Sequence, residues 1–317
     1  MGKILKIFLA AAICVVVFSL VREVVTDSNT QIPVISDLLQ SIHLDTGEKE
    51  VSIDAEPFYE IEDTTLFRED EGVLENQAVS LSYEGDSFTL VCLQISQVNL
   101  VVGMASENTL HAETEEVSRY QAYVEEEILY IIIEGTLSAQ SAVQGESVLP
   151  QVTLLLPSDF AQAGGGMELE VLAGNAVFQN LTLNALEITL NAGAVSMDGL
   201  SAGQFTVTML AGSVMGQNLT VTESTLLTMS AGSMSLTGDL STEVAAEVTA
   251  GNLSLSLEQP YESYDCEITC AVGSVTVAGE AYSGLTASET IRHGGANTLT
   301  VSCSVGVVDV EFAGEVS

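Results

Sequence analysis

The chain has 317 residues, is 47% hydrophobic with no Trp, and carries 44 acidic against 7 basic residues, a formal net charge of −37. That balance excludes a nucleic-acid function, because phosphate recognition needs a basic surface, and it disfavours direct docking onto anionic lipid. Abundant Val, Thr, Ile and Leu with few aromatic residues suit an all-β protein with aliphatic layers, and the acidity itself serves solubility and opposes edge-to-edge stacking.

At the N-terminus, Lys3 and Lys6 precede an uncharged apolar run from Ile7 to Val21. A positive tip followed by such a run marks a signal peptide or a signal anchor. Counted from Ile4 the segment is at the short end for a membrane span. No small-x-small cleavage site follows, only Arg22-Glu23-Val24-Val25. Residues 1–25 therefore read as an uncleaved single-pass anchor, with the tip in the cytoplasm and the bulk of the chain extracytoplasmic; cleavage would make the chain secreted. Cys14 follows Ile13, where a lipid-attachment signal wants a small residue, which argues against a lipoprotein. Residues 26–50, with Pro33 and a short apolar patch at Ile35, Leu38, Leu39 and Ile42, read as a linker.

Residues 51–163 read as an irregular N-terminal β cap. Alternation predicts strands over Ser87–Ile95, Val98–Val102, Tyr120–Val124, Ile128–Ile133 and Val152–Leu156, with a hairpin turn at Glu125-Glu126-Glu127. Such a cap is expected, since an open rung end is an unpaired template for aggregation. Gly164-Gly165-Gly166 lacks the downstream Lys of a phosphate loop and reads as a hinge before the repeats.

Residues 164–317 carry an internal repeat. Ala-Gly recurs at Gly174, Gly193, Gly212, Gly232 and Gly251, in steps of 19 or 20 residues, and Val-Gly at Gly273 and Gly306 continues it more loosely. A fixed period of this size is the signature of a solenoid. Three residues before the glycine stand Val171, Leu190, Met209, Met229, Val248, Cys270 and Cys303; two after it stand Ala176, Val195, Val214, Met234, Leu253, Val275 and Val308. Apolar and polar residues alternate on both sides, but the phase changes at the glycine. Each rung is thus two short strands bent at Ala-Gly, with Ala expected on the inside of the corner, then a turn such as Met197-Asp198-Gly199 or Thr237-Gly238-Asp239. Leu181, Leu200, Leu219 and Leu240 point inward after the turn. Five to seven rungs would make a rod roughly 25–35 Å long.

The strand Val98–Gly103, then Tyr120–Ile133, then Val152–Pro157, followed by serial Gly-cornered β repeats, resembles the DUF4097 family of adhesin-like β-solenoid domains in bacterial envelope proteins. The resemblance spans Val79 to Ala313. It implies a surface or envelope role, adhesion-like or linked to envelope stress, and brings no functional residues with it. This chain departs from the family pattern in its acidity and its few rung aromatics.

No catalytic site is expected. His43, His111 and His293 are isolated in sequence, His293 in an exposed loop, and nucleophile-elbow, Walker and zinc-protease motifs are missing. The solenoid acids Glu168, Glu187, Asp198, Glu223, Asp239, Glu247, Asp265 and Glu267 look scattered over different rung positions. No Lys or Arg lies between Arg119 and Arg292 to stabilise a developing anion, so a polysaccharide-active β-helix enzyme is the weaker reading. No cofactor is expected; weak Ca²⁺ binding by outward carboxylates is the sharper alternative to simple solubilisation, although no Asp-x-Asp-x-Asp series is present. Cys270 and Cys303 share a rung position and read as small core hydrophobes, with a disulfide as the alternative; Cys266-x-x-x-Cys270 as a metal pair is weaker. Cys92 completes the cysteines.

These observations add up to an expectation of a membrane-anchored, adhesin-like binding or scaffold module. Its partner would be a cell-wall or surface glycan or an envelope protein, met by outward polar residues such as Asn180, Thr182, Asn218, Thr220, Thr206 and Thr208. The alternative is an envelope-stress accessory acting through a membrane partner.

Overall fold

Parallel ladders dominate the computed structural model, which describes residues 74–84, 88–135, 149–240, 243–283 and 287–313. All of these lie in one compact unit, Pro57–Ser317. The anchor segment 1–25, the linker 26–50, His43 and Cys14 lie outside the described residues. Among the described residues no helix is long and apolar enough to cross a membrane.

The repeats fold as the alternation demands. Strands β7 (Gly166–Gln179), β8 (Thr182–Leu190), β9 (Gly193–Asp198), β10 (Ser201–Met209), β11 (Ser213–Met229), β12 (Ser233–Leu240) and β13 (Glu243–Leu257) wind as successive rungs. Each rung has a first strand before the glycine, a second strand after it and a short third segment. First strands stack through Leu169↔Ile188↔Val207↔Leu227↔Ala246, and second strands through Ala176↔Val195↔Val214↔Met234↔Leu253, all parallel. The third segments stack through Leu183↔Ala202↔Val221↔Leu240. One rung sends Leu186, Ile188, Leu190, Val195, Met197 and Leu200 into the core, each at most 2% exposed. Each buried aliphatic of this size contributes about 1.5–3 kcal/mol, which only stacking can collect, because a single rung leaves its inner face half covered.

The corner rests on glycine rather than on Ala. Gly193 has φ 128° and Gly212 φ 133°, and a Cβ on either would run into the carbonyl oxygen of the glycine one rung before it. The preceding Ala does not fill the inside of the bend as expected: Ala192 is exposed, and Ala173, Ala211, Ala231 and Ala250 are half-buried. The backbones approach so closely there that no interior space remains for a side chain. At the second corner the left-handed position is taken by Asn180 (φ 47°), Gly199 (φ 74°) and Asn218 (φ 53°), Asn being among the few side chains that tolerate it. Thr237-Gly238-Asp239, expected as a turn, instead lies within β12, because Gly238 stacks in register on Leu219.

The parallel stack also takes in strands from the stretch read as a cap. Ser87–Ile95 and Val98–Val102 are not two strands but one, β2 (Leu90–Met104), which bends at Gln97 (φ 56°) and lies on β7 through Leu93↔Leu169, Val98↔Gly174 and Leu100↔Ala176. Strands β5 (Ile128–Glu134) and β6 (Gln151–Leu156) then cover the two halves of β2, also in parallel. Antiparallel β4 (Arg119–Glu125) closes on β5, with Glu126 and Glu127 both at positive φ in the expected hairpin turn. Two strands that the sequence reading did not identify, β1 (Gln77–Glu84) and β3 (Thr109–Val117), extend the sheet antiparallel from β6. The triple glycine before β7 is a packed turn, not a hinge: Gly165 donates its N–H to the Phe160 carbonyl at 2.7 Å, and its backbone lies against the Phe160 ring.

The other end mirrors this plan. The last strand, β17 (Asn297–Phe312), inserts between β13 and β14 (Tyr264–Val277), so the glycine ladder runs Gly251, Gly306, Gly273 rather than in chain order. The outer edge of β14 is closed by antiparallel β15 (Glu280–Ser283) and β16 (Ala287–Ile291). Antiparallel strands thus cover the parallel ladder at both ends, which removes its stacking template. Aromatic side chains plug the same ends, Phe88 against Phe160 at 5.6 Å and Tyr264 against Phe312 at 5.4 Å. With β2 and β5/β6 included, the stack has nine rungs among the described residues, about 38 Å at the usual strand spacing.

Candidate functional site

The outward residues of the first strands form columns, because every inward residue is flanked by outward ones and the register is constant. Near the N-terminal end the columns bring together Tyr130 and Ile132 of β5, Cys92 and Gln94 of β2, Glu168 and Glu170 of β7, and Glu187 and Thr189 of β8. These side chains line an open, shallow cleft of about 370 Å³. Gln94 Nε2 donates to Glu170 Oε2 at 2.7 Å, and Asn191 Nδ2 donates to Glu170 Oε1 at 3.4 Å. Cys92 Sγ donates to Glu168 Oε2 at 3.6 Å. Burial, with the Glu168 charge and hydrogen bond added, pushes the Cys92 thiol up to about 11. The thiol therefore stays protonated at neutral pH and is a poor nucleophile. Tyr130 stacks on Tyr123 at 4.9 Å between ring centres, giving the cleft an aromatic wall.

The chemistry available here is acceptance of hydrogen bonds against an aromatic wall. The two described arginines are engaged elsewhere, Arg119 with Glu134 at 3.2 Å and Arg292 with Asp265 at 3.8 Å.

The other sequence candidates are distributed around the stack. Glu168 and Glu187 are not scattered: they share a column on neighbouring rungs. Glu223 accepts from Gln204 (2.9 Å), Asp198 from Asn218 (2.7 Å) and Asp239 from Gln259 (3.3 Å), so each holds an adjoining rung or turn. Asp265 accepts the backbone N–H groups of His293 and Gly294, both at 2.8 Å, and these bonds, the one from Gly294 foremost, hold its carboxyl below the ordinary range. Glu247 and Glu267 face outward on separate rungs. Asn180 and Asn218 are corner residues. Thr182 and Thr220 flank Ser201 in the third-segment column, and Thr206 and Thr208 continue the first-strand columns beyond Glu187 and Thr189. His111 pairs with Ser82 at 3.0 Å. His293 lies in an exposed segment as expected, yet its Nδ1 meets the Tyr264 carbonyl at 2.9 Å and its ring packs edge-on to Tyr261 at 4.6 Å. Among the described residues no group of three or more His, Cys, Asp or Glu is placed to hold a metal ion.

Cys92, Gln94, Tyr130 and Glu170 were not singled out from the sequence. Alternation does mark Cys92 and Gln94 as outward. Their partners in β7 are 76 residues away, however, and β2 carries Val98 where the later rungs carry glycine, so it lacks the mark that would align it.

A family model for Toastrack DUF4097 matches residues 151–310. Among solved structures, a candidate cell adhesion protein from Clostridium sporogenes is 13% identical with a TM-score of 0.34, the match covering 75% of this chain and 100% of that one. A candidate adhesin from Bacteroides fragilis is 13% identical with a TM-score of 0.39, covering 74% of this chain and 97% of that one. No curated protein matches. The family match takes in just over half of the chain, from β6 into β17, and the protein belongs to the Toastrack DUF4097 family.

Proposed function

We propose that this protein is an adhesin-like, non-catalytic binding or scaffold module, anchored by its N-terminal segment and displayed outside the membrane of a bacterial cell. The observation that carries the reading is the regular stack of rungs, whose outward columns form faces mainly of Glu, Gln, Thr and Ser, with Ala185 and the exposed Leu226 among them. Such faces suit a repetitive polar surface, a cell-wall polymer or glycan, better than a small substrate, because equivalent groups recur about every 4.8 Å. A backbone held on both sides by parallel neighbours also loses little entropy on binding.

The test is a pull-down of the full-length protein on isolated bacterial cell wall and on whole cells, with Ca²⁺ and with chelator. Saturable binding supports the reading. Loss of binding with chelator would make the outward carboxylates ligands rather than solubilisers. No binding in either condition would sink wall adhesion and leave an envelope protein as the partner.

A further inference from the structure

We propose that Cys270 and Cys303 close into a disulfide as the chain folds, fastening the last strand, β17, to β14 inside the stack. The two residues are register partners on adjacent parallel strands, and both are buried, 0% and 1% exposed. They stand as free thiols, and burial first, then the neighbouring Cys270, holds the Cys303 thiol above its ordinary value. Register partners on neighbouring strands lie about 4.8 Å apart at Cα, inside the 4.4–6.8 Å range that a disulfide spans. Their Cβ atoms, about 4.8 Å apart when stacked, must close by about 0.3–1 Å to reach the spacing a disulfide spans. Strand β14 can supply that movement, because it is the last parallel rung and carries only the short β15 and β16 on its outer side.

No other described cysteine competes. Cys266 lies opposite Leu299 and Ile291, and Cys92 faces Glu168 near the far end of the stack. The chain between the pair holds the second half of β14, then β15, β16 and the first half of β17. Closing that loop restricts the unfolded chain and adds a covalent tie to a strand otherwise held by its backbone ladders and its buried apolar side chains.

The chemistry is thiol–disulfide exchange with a small-molecule disulfide such as oxidised glutathione. One cysteine thiolate attacks the oxidant, releasing one glutathione thiol and leaving a mixed disulfide. The second thiolate displaces the other glutathione. Overall the two protein thiols give up two protons and two electrons, one protein S–S bond forms, and the oxidant's S–S bond is reduced to two thiols. Because both sulfurs are covered in the folded stack, the exchange precedes the seating of β17, and the bond records the redox state in which the chain folded. Which cysteines pair is set by the fold; the bond closes where the chain folds under oxidising conditions, as in the proposed extracytoplasmic location.

The experiment refolds the full-length, fully reduced protein from denaturant in two buffers, one with reduced and oxidised glutathione, the other with excess reductant. Free thiols are then alkylated under denaturing conditions, linked peptides are mapped by mass spectrometry, and thermal unfolding is followed. The expected result is one peptide joining Cys270 to Cys303 in the glutathione buffer, with a midpoint about 5–10 °C above that of the reduced form. Cys303→Ala should abolish both the linkage and the difference between buffers. Alkylation of every cysteine in both buffers, a bond between any other pair, or identical midpoints for linked and reduced protein would each overturn the proposal. The wild-type peptide map decides the linkage even where the variant fails to fold.

Discussion

Gly212 stands on Gly193 so closely that a Cβ on Gly212 would meet the Gly193 carbonyl oxygen. The same relation repeats up the ladder, Gly232 on Gly212 and Gly251 on Gly232. The corner is thus one continuous backbone contact through the stack, and its spacing leaves no tolerance for a side chain.

Gly212→Ala should therefore destabilise by about 2–4 kcal/mol, from the positive φ and the displaced carbonyl together. Ala211→Ser, at the half-buried neighbour, should change stability by less than about 0.5 kcal/mol. Denaturant unfolding of both variants checks this, and equal effects would show that the corner is not set by glycine.

Asn218 is held at φ 53° and donates to Asp198 at 2.7 Å. Asn218→Val should cost about 2–3 kcal/mol, since a β-branched residue resists the left-handed conformation and the hydrogen bond is lost. Asn218→Gly should lose only the hydrogen bond, about 1 kcal/mol. The order of the two unfolding midpoints is the measurement.

Cys92 should react slowly with iodoacetamide at pH 8 in the folded protein, with a rate that climbs toward pH 11. Glu168→Gln removes the neighbouring charge and should shift that profile to lower pH. Burial is the larger cause and remains, so the profile should stay above that of an unfolded-chain thiol. A profile unmoved by the substitution would show that Glu168 does not act on the thiol.

Asp265 anchors the segment after β16 by accepting from His293 and Gly294. Its folded carboxyl titrates below its unfolded value. The stabilisation is therefore fully present above the unfolded value, about 3.9, and is lost as pH falls through the lowered folded one. Carboxyl chemical shifts followed by NMR through this range should show Asp265 titrating below the ordinary Asp range, and Asp265→Asn should speed amide exchange at His293 and Gly294 at neutral pH.

The cleft was half legible in the sequence. Glu168 and Glu187 stand at equal distance before their glycines, so the period alone puts them in one column. Cys92 and Tyr130 could not be added that way. Their strands carry neither the glycine nor the spacing, and they join the column only through backbone pairing across long stretches of chain.

Alternation and the repeated glycine determined by themselves which side chains face the core and where each rung bends. Both are local demands: a two-residue strand period, and a corner that in the repeats leaves no room for a Cβ. The order of the rungs was decided by tertiary structure. A parallel ladder makes the same backbone hydrogen bonds with any strand whose apolar residues match in register, so chain order does not dictate spatial order. Cys303 fits beside Val248 as well as beside Cys270, and β17 therefore lies between β13 and β14. Ile95 fits beside Val171, and β2 joins the stack ahead of the first glycine. In both places the end that would otherwise lie open is closed by antiparallel strands, whose reversed direction stops the parallel ladder from growing.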